Sequence, residues 1–192
     1  AGKTAAACAM ISRMRHRGLT IDAFKATGVS LRRDILAMED SGARRTAIFT
    51  DFGVVTTTAK NGPALTRSML TEMAAGKPDA IVFELGDGIL GAYGVEAILD
   101  APDIRKALTA VVLSANDPVA AWGGVKLLRD RFGIEPAVVT GPSTDNSVGV
   151  DIIREQLGVP AFNAITSGAA LGDCVISAVG LDAIAKSREL EQ

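Results

Sequence analysis

Short apolar runs alternate along this chain with longer stretches in which apolar and polar residues recur at helical spacing. Ala80-Ile81-Val82-Phe83 and Ala110-Val111-Val112-Leu113 contain no polar residue, which predicts strands buried on both faces, as in a parallel sheet. Residues 19–24, 46–50, 136–140 and 159–164 read as four further strands. Between them the spacing predicts helices over 5–17, 29–42, 64–75, 93–99, 102–108, 119–132, 147–157 and 169–188. Ser30 is the expected N-cap of the second and Gly42 its stop. In the third, Leu65, Met69, Leu70 and Met73 share one side. Trp122 is expected in the core.

Six strands alternating with helices predict an α/β fold: one parallel sheet with helices on both faces, wound by right-handed crossovers. No internal repeat, low-complexity tract or convincing boundary divides the chain, so residues 1–192 read as one domain.

Composition narrows the function classes. With 48% hydrophobic residues in 192, the chain can bury a sizeable core. A net charge of −2 and 4% aromatics argue against a nucleic-acid partner. No apolar run reaches the length of roughly 20 residues that a membrane span needs, so no membrane association is expected. Cys8 and Cys174 carry no metal-like spacing and read as free thiols of a reducing, cytoplasmic protein. The one histidine, His16, lies among arginines and reads as a solvated helix position.

The candidate chemistry begins at Gly2-Lys3-Thr4, the end of the phosphate-loop pattern G-x-x-x-x-G-K-[ST]. Glycine lets the backbone approach phosphate oxygens, lysine neutralises the β- and γ-phosphates, and the threonine hydroxyl serves Mg²⁺. The helix and strand that follow are in the order such a unit requires. The chain starts without Met and without the strand that feeds the loop, which predicts that it is the C-terminal part of a longer polypeptide.

Further candidates sit just past strand ends, where open parallel sheets place ligand contacts. Asp51 follows the strand at 46–50 and reads either as a Mg²⁺ ligand or as a turn former. Glu84-Leu85-Gly86-Asp87-Gly88 follows the apolar run at 80–83 and would deliver Glu84 to the metal and Asp87 to the substrate. Arg33 is a candidate for an anionic substrate, or else part of a solvated face. Asn116, past the strand at 110–113, can read a nucleotide base, whereas Asp117 before Pro118 reads as a helix cap. The loop at 141–146 offers a place for base or ribose.

Phe24-Lys25-Ala26-Thr27-Gly28 resembles the Phe-Lys-Pro-x-x-Thr-Gly element of dethiobiotin synthetase, and Phe83-Glu84-Leu85-Gly86-Asp87-Gly88 resembles that family's Val-Glu-Gly-x-Gly-Gly. A closer overall resemblance is to the DUF1611 family of P-loop proteins, which place a separate α/β domain ahead of the loop. The resemblance implies a three-layer P-loop NTPase architecture like that of dethiobiotin synthetase. It also implies that Lys25 faces substrate and developing phosphate charge beside Thr27, and that Glu84 is the acid near the metal. The chain differs in lacking the proline after the lysine and in carrying Asp87 where the family has a small residue.

The expected function is therefore an ATP- and Mg²⁺-dependent enzyme that activates a small carboxylate or carbamate as an acyl phosphate for attack by an amine. The substrate would be a carboxylate or amino acid, and the protein a homo-oligomer. Lys3, Lys25 and Glu84 would be catalytic. Gly2, Lys3, Thr4 and Asn116 would hold the nucleotide, and Thr4, Asp51 and Glu84 the metal. Thr27, Arg33 and Asp87 would meet the substrate. Some DUF1611 proteins are associated with N-acetylation of D-glutamate, so one alternative is acyl transfer from acetyl-CoA. Another is a nucleotide-dependent switch or accessory subunit.

Overall fold

A computed structural model describes residues 1–189. The protein is mixed α/β, and its chain forms two compact units, Gly18–Leu108 and Ala1–Arg17 with Thr109–Gln192.

In the first unit, β1 (Ile21–Lys25) lies between β2 (Arg45–Ile48) and β3 (Ala80–Glu84), all parallel. Every residue of β1 is buried, because a central strand has neighbours on both edges and both faces. Asp22 stands opposite Arg45 and Ile81, and Lys25 opposite Ile48 and Glu84. Phe24 stacks on its register partner Phe83 at 4.9 Å between ring centroids, a pair worth about 0.5–1.5 kcal/mol beyond its buried area. β3 is less enclosed than its apolar sequence predicts: Val82 and Glu84 are buried, but Ala80, Ile81 and Phe83 keep partial exposure.

Helix α2 (Arg32–Asp40) packs on β2 and β1, and α3 (Gly62–Ala74) packs on β1 and β3. The apolar side expected for α3 is buried through Leu65, Met69 and Met73. Ser30 does not cap α2. The cap position is Leu31, and the Ser30 hydroxyl instead pairs with Thr50 Oγ1 at 3.2 Å. The strand expected to run to residue 50 stops at Ile48, where a 3₁₀ turn, Phe49–Phe52, takes over. Two short helices, α4 (Val95–Asp100) and α5 (Pro102–Ala107), complete the unit, with Ile98 and Ile104 in a satellite core.

In the second unit, α1 (Lys3–His16) packs closely on α8 (Gly168–Ala178). Glycine makes that approach possible: a Cβ at Gly172 would lie 2.3 Å from Arg13 Cβ. Asp173, one residue on, accepts two hydrogen bonds from Arg13 at 2.8 Å and one from Arg17 at 3.1 Å. His16 is exposed as expected. β4 (Val112–Ser114) pairs in parallel with β5 (Val138–Thr140).

The single six-stranded sheet is not formed. The described strands make a three-stranded sheet and a two-stranded sheet, and residues 159–164 contribute only a bridge, Val139 to Ala161. Pro160 has no N–H to extend a ladder, and Asn163 draws the amides of Ile165 and Thr166 into a turn.

The final predicted helix is also two. Gly180, at φ 73°, separates α8 from α9 (Asp182–Glu189), and the pair bends by 117°. No single described helix is long and apolar enough to cross a membrane. On α6 (Pro118–Phe132), Ala121, Val125, Leu128 and Phe132 form the buried stripe. Trp122 falls one position off that stripe and is 53% exposed rather than in the core. Finally, α7 (Ser147–Ile152) runs into a π-helical turn, Ile153–Leu157.

Candidate functional site

In the unit that carries α1, Gly2 takes the left-handed conformation, φ 81° and ψ −1°, directly before the helix. A Cβ there would be both strained and close, 3.1 Å from Gly141 Cα. Gly141, itself at φ 90°, lies against Ala115 in the same way, 2.8 Å from its carbonyl oxygen to an imagined Cβ. Lys3 and Thr4 are the first two helical residues, no side chain caps the helix, and its first turn carries no acid. A helix start of this kind directs amides and the positive end of the macrodipole outward, which suits an anion.

From Gly141 the chain passes through a 3₁₀ turn, Pro142–Thr144, and then borders a cavity of about 270 Å³. One wall is Thr144, Asp145, Asn146 and Ser147. The other is Phe162, Asn163, Thr166 and Ser167, with Arg154 also lining it. Asn163 is nearly buried and fully engaged: its Oδ1 accepts from Ile165 and Thr166 amides, and its Nδ2 donates to Asp145 Oδ1 at 2.8 Å. Arg154 belongs to the π-helical turn. It donates to the Ala161 carbonyl at 2.7 Å and lies over the Phe162 ring at 5.1 Å. The sequence reading had picked the loop at 141–146 but neither Arg154 nor Asn163. No motif marks them, because a π turn and a failed strand together bring them to the cavity.

In the other unit, the ends of β1 and β3 bury a charged cluster. Lys25 Nζ is bonded to Asp34 of α2 and lies 3.8 Å from Glu84 Oε1. All three side chains are at least 85% enclosed. Register accounts for one contact, since Lys25 and Glu84 are opposite residues on neighbouring strands. Asp34 was visible in sequence only as part of a charged helix start. Asp34 also lies 3.9 Å from the exposed Arg33 guanidinium, so the two carboxylates meet an enclosed ammonium and an exposed guanidinium, and buried charge of this kind requires such pairing. Thr27, fully buried, donates to the Gly86 carbonyl at 3.2 Å. Gly86 touches the chain at the same place: a Cβ on it would be 2.4 Å from the Thr27 carbonyl oxygen.

The remaining candidates stand as follows. Asp87 is exposed and adopts φ 76°, a left-handed conformation uncommon for a residue with a side chain. Arg33 is 81% exposed at the start of α2. Asp51 accepts a hydrogen bond from the Ile48 amide at 2.9 Å and so closes its own turn, the second of its two sequence readings. Asn116 is exposed beside Ala115, and Asp117 caps α6 through the Ala120 amide at 2.8 Å. Among the described residues no three His, Cys, Asp or Glu side chains converge as a metal-binding group. Cys8 and Cys174 are free, and burial raises the Cys174 pKa.

Compared with known proteins, the chain matches no protein-family model and no curated protein.

Proposed function

We propose that this chain is a P-loop enzyme, dependent on Mg²⁺ and a nucleoside triphosphate, ATP in the first instance, that activates a small carboxylate as an acyl phosphate for attack by an amine. The observation that carries this reading is the start of α1: a left-handed Gly2, then Lys3 and Thr4, with no cap and no acid, set against Gly141. Lys3 and the helix amides hold phosphate oxygens. Thr4 is a hard oxygen donor of the type Mg²⁺ takes, and that ion needs few protein ligands because it keeps waters and phosphate ligands. Bound Mg²⁺ supplies charge neutralisation for the phosphoryl group. In the other unit, Lys25 supplies positive charge for an anionic substrate group. The three-layer P-loop arrangement and membership of the DUF1611 family belong to the same proposal.

The second reading is acyl transfer from acetyl-CoA to an amino acid. It is favoured by the Asp34 and Glu84 carboxylates beside Lys25, since a carboxylate held in an enclosed site can take the proton of an attacking amine. Thermal shift separates the two. Mg²⁺-ATP raises the melting temperature under the first reading and acetyl-CoA does so under the second. Binding of ATP that is unchanged in Lys3→Ala removes the first.

A further inference from the structure

We propose that the cavity beside the 141–147 loop reads the base of the nucleotide and that it selects guanine over adenine. This rests on the proposed nucleotide-binding role of the α1 start. Asp145 is the deciding group. Asn163 fixes one of its carboxylate oxygens at 2.8 Å, and the other takes no hydrogen bond among the described residues. A carboxylate only accepts. Guanine presents two adjacent donors, the ring N1–H and the exocyclic N2 amine, in the geometry a carboxylate pairs with. Adenine presents an acceptor, N1, at the matching place, which would face the carboxylate oxygen and be repelled.

The neighbouring groups agree. Asn163 cannot turn its amide to suit another base, because its oxygen already holds two backbone amides. Arg154 and Phe162, stacked at 5.1 Å, give the cavity a planar wall, the kind of surface on which bases stack. Reach is also suitable. Asp145 is four positions along the chain from Gly141, which touches Gly2, so it lies at most about 14 Å of chain from the phosphate-binding helix start.

Isothermal calorimetry with Mg²⁺ and GTP, ITP or ATP tests the proposal on wild-type protein and on Asp145→Asn. The expected result is GTP binding at least tenfold tighter than ATP, and an intermediate affinity for ITP, which lacks the 2-amino group. In Asp145→Asn the preference falls to about twofold, with an unchanged melting temperature. Equal affinity for ATP and GTP overturns guanine selection and leaves the nucleotide reading intact. Equal loss of both in Asp145→Asn likewise overturns it, since the carboxylate then holds the ribose. Binding of none of the three overturns both proposals.

Discussion

Strand β1 buries a charge near each of its ends, and the two are treated differently. Near the start, Asp22 is fully buried and receives two hydrogen bonds from Arg44, at 3.0 and 2.9 Å, with Arg45 4.0 Å away. Arg45 in turn bonds Glu72 at 2.7 Å, and Arg44 also donates to the Gly76 carbonyl. Asp22 and Asp79 both act on Arg44, and the Asp22 bond above all holds the Arg44 pKa above its ordinary value. At the far end, Lys25 faces Asp34 and Glu84, both themselves enclosed, and Asp34 also lies 3.9 Å from the exposed Arg33 guanidinium. Burial alone therefore does not mark a site. The partners of Asp22 reach water, whereas those of Lys25 are enclosed with it at the strand ends, where parallel sheets place ligands.

The largest expected effect comes from breaking the enclosed cluster at Lys25. Lys25→Met leaves two enclosed carboxylates without their cation and should cost about 3–5 kcal/mol, read as a lower urea midpoint at constant slope. Asp22→Asn should cost less, about 1.5–3 kcal/mol, because the Arg44 and Arg45 side chains it strands are 42% and 37% exposed and can turn to water. If the two variants lose equal stability, the distinction between the ends of β1 disappears.

Glycines sharpen the comparison at smaller cost. Gly86→Ala puts a methyl group 2.4 Å from a backbone oxygen and should lose about 1–3 kcal/mol along with substrate turnover. Gly76→Ala, at the other end, meets the tips of Arg44 and Arg45 at 2.8 Å, which can move, and Asp22 Oδ2 at a less severe 3.1 Å. Its melting temperature should stay nearer wild type and its turnover unchanged.

The smallest effect is a surface control in the same unit. Arg67 bonds Asp103 at 2.7 Å and lowers the Asp103 pKa to about 2 from an ordinary 3.8. A depressed carboxylate pKa stabilises the folded state above the unfolded value and loses that contribution as pH falls through the folded one. Wild type and Asp103→Asn should therefore differ in melting temperature above about pH 4 and converge toward pH 2. Added salt should shrink the gap, because the pair is exposed.

Two residues at the α1–α8 contact show why fold and site were unequally legible. The run at 5–17 announces a helix, and α1 is one, but nothing in its pattern says which partner it takes. Gly172 and Asp173 decide that by close approach and by a clasp on Arg13 and Arg17. Likewise Glu84 could be picked out as an acid at a strand tip, while its neighbour Asp34 could not, since helix α2 had to fold back onto β1 first.

Local signals alone were enough for most of the helices, though not for the break at Gly180, for the five strands that form, and for a glycine placed where α1 begins. These depend on periodicity and on backbone preferences within a few residues, which a sequence carries openly. Tertiary structure alone settled which strands pair, that residues 159–164 turn into a cavity wall, and that Asp145, Arg154 and Asn163 meet there. Those outcomes depend on contacts between residues far apart in the chain, and no local pattern encodes a distance in space.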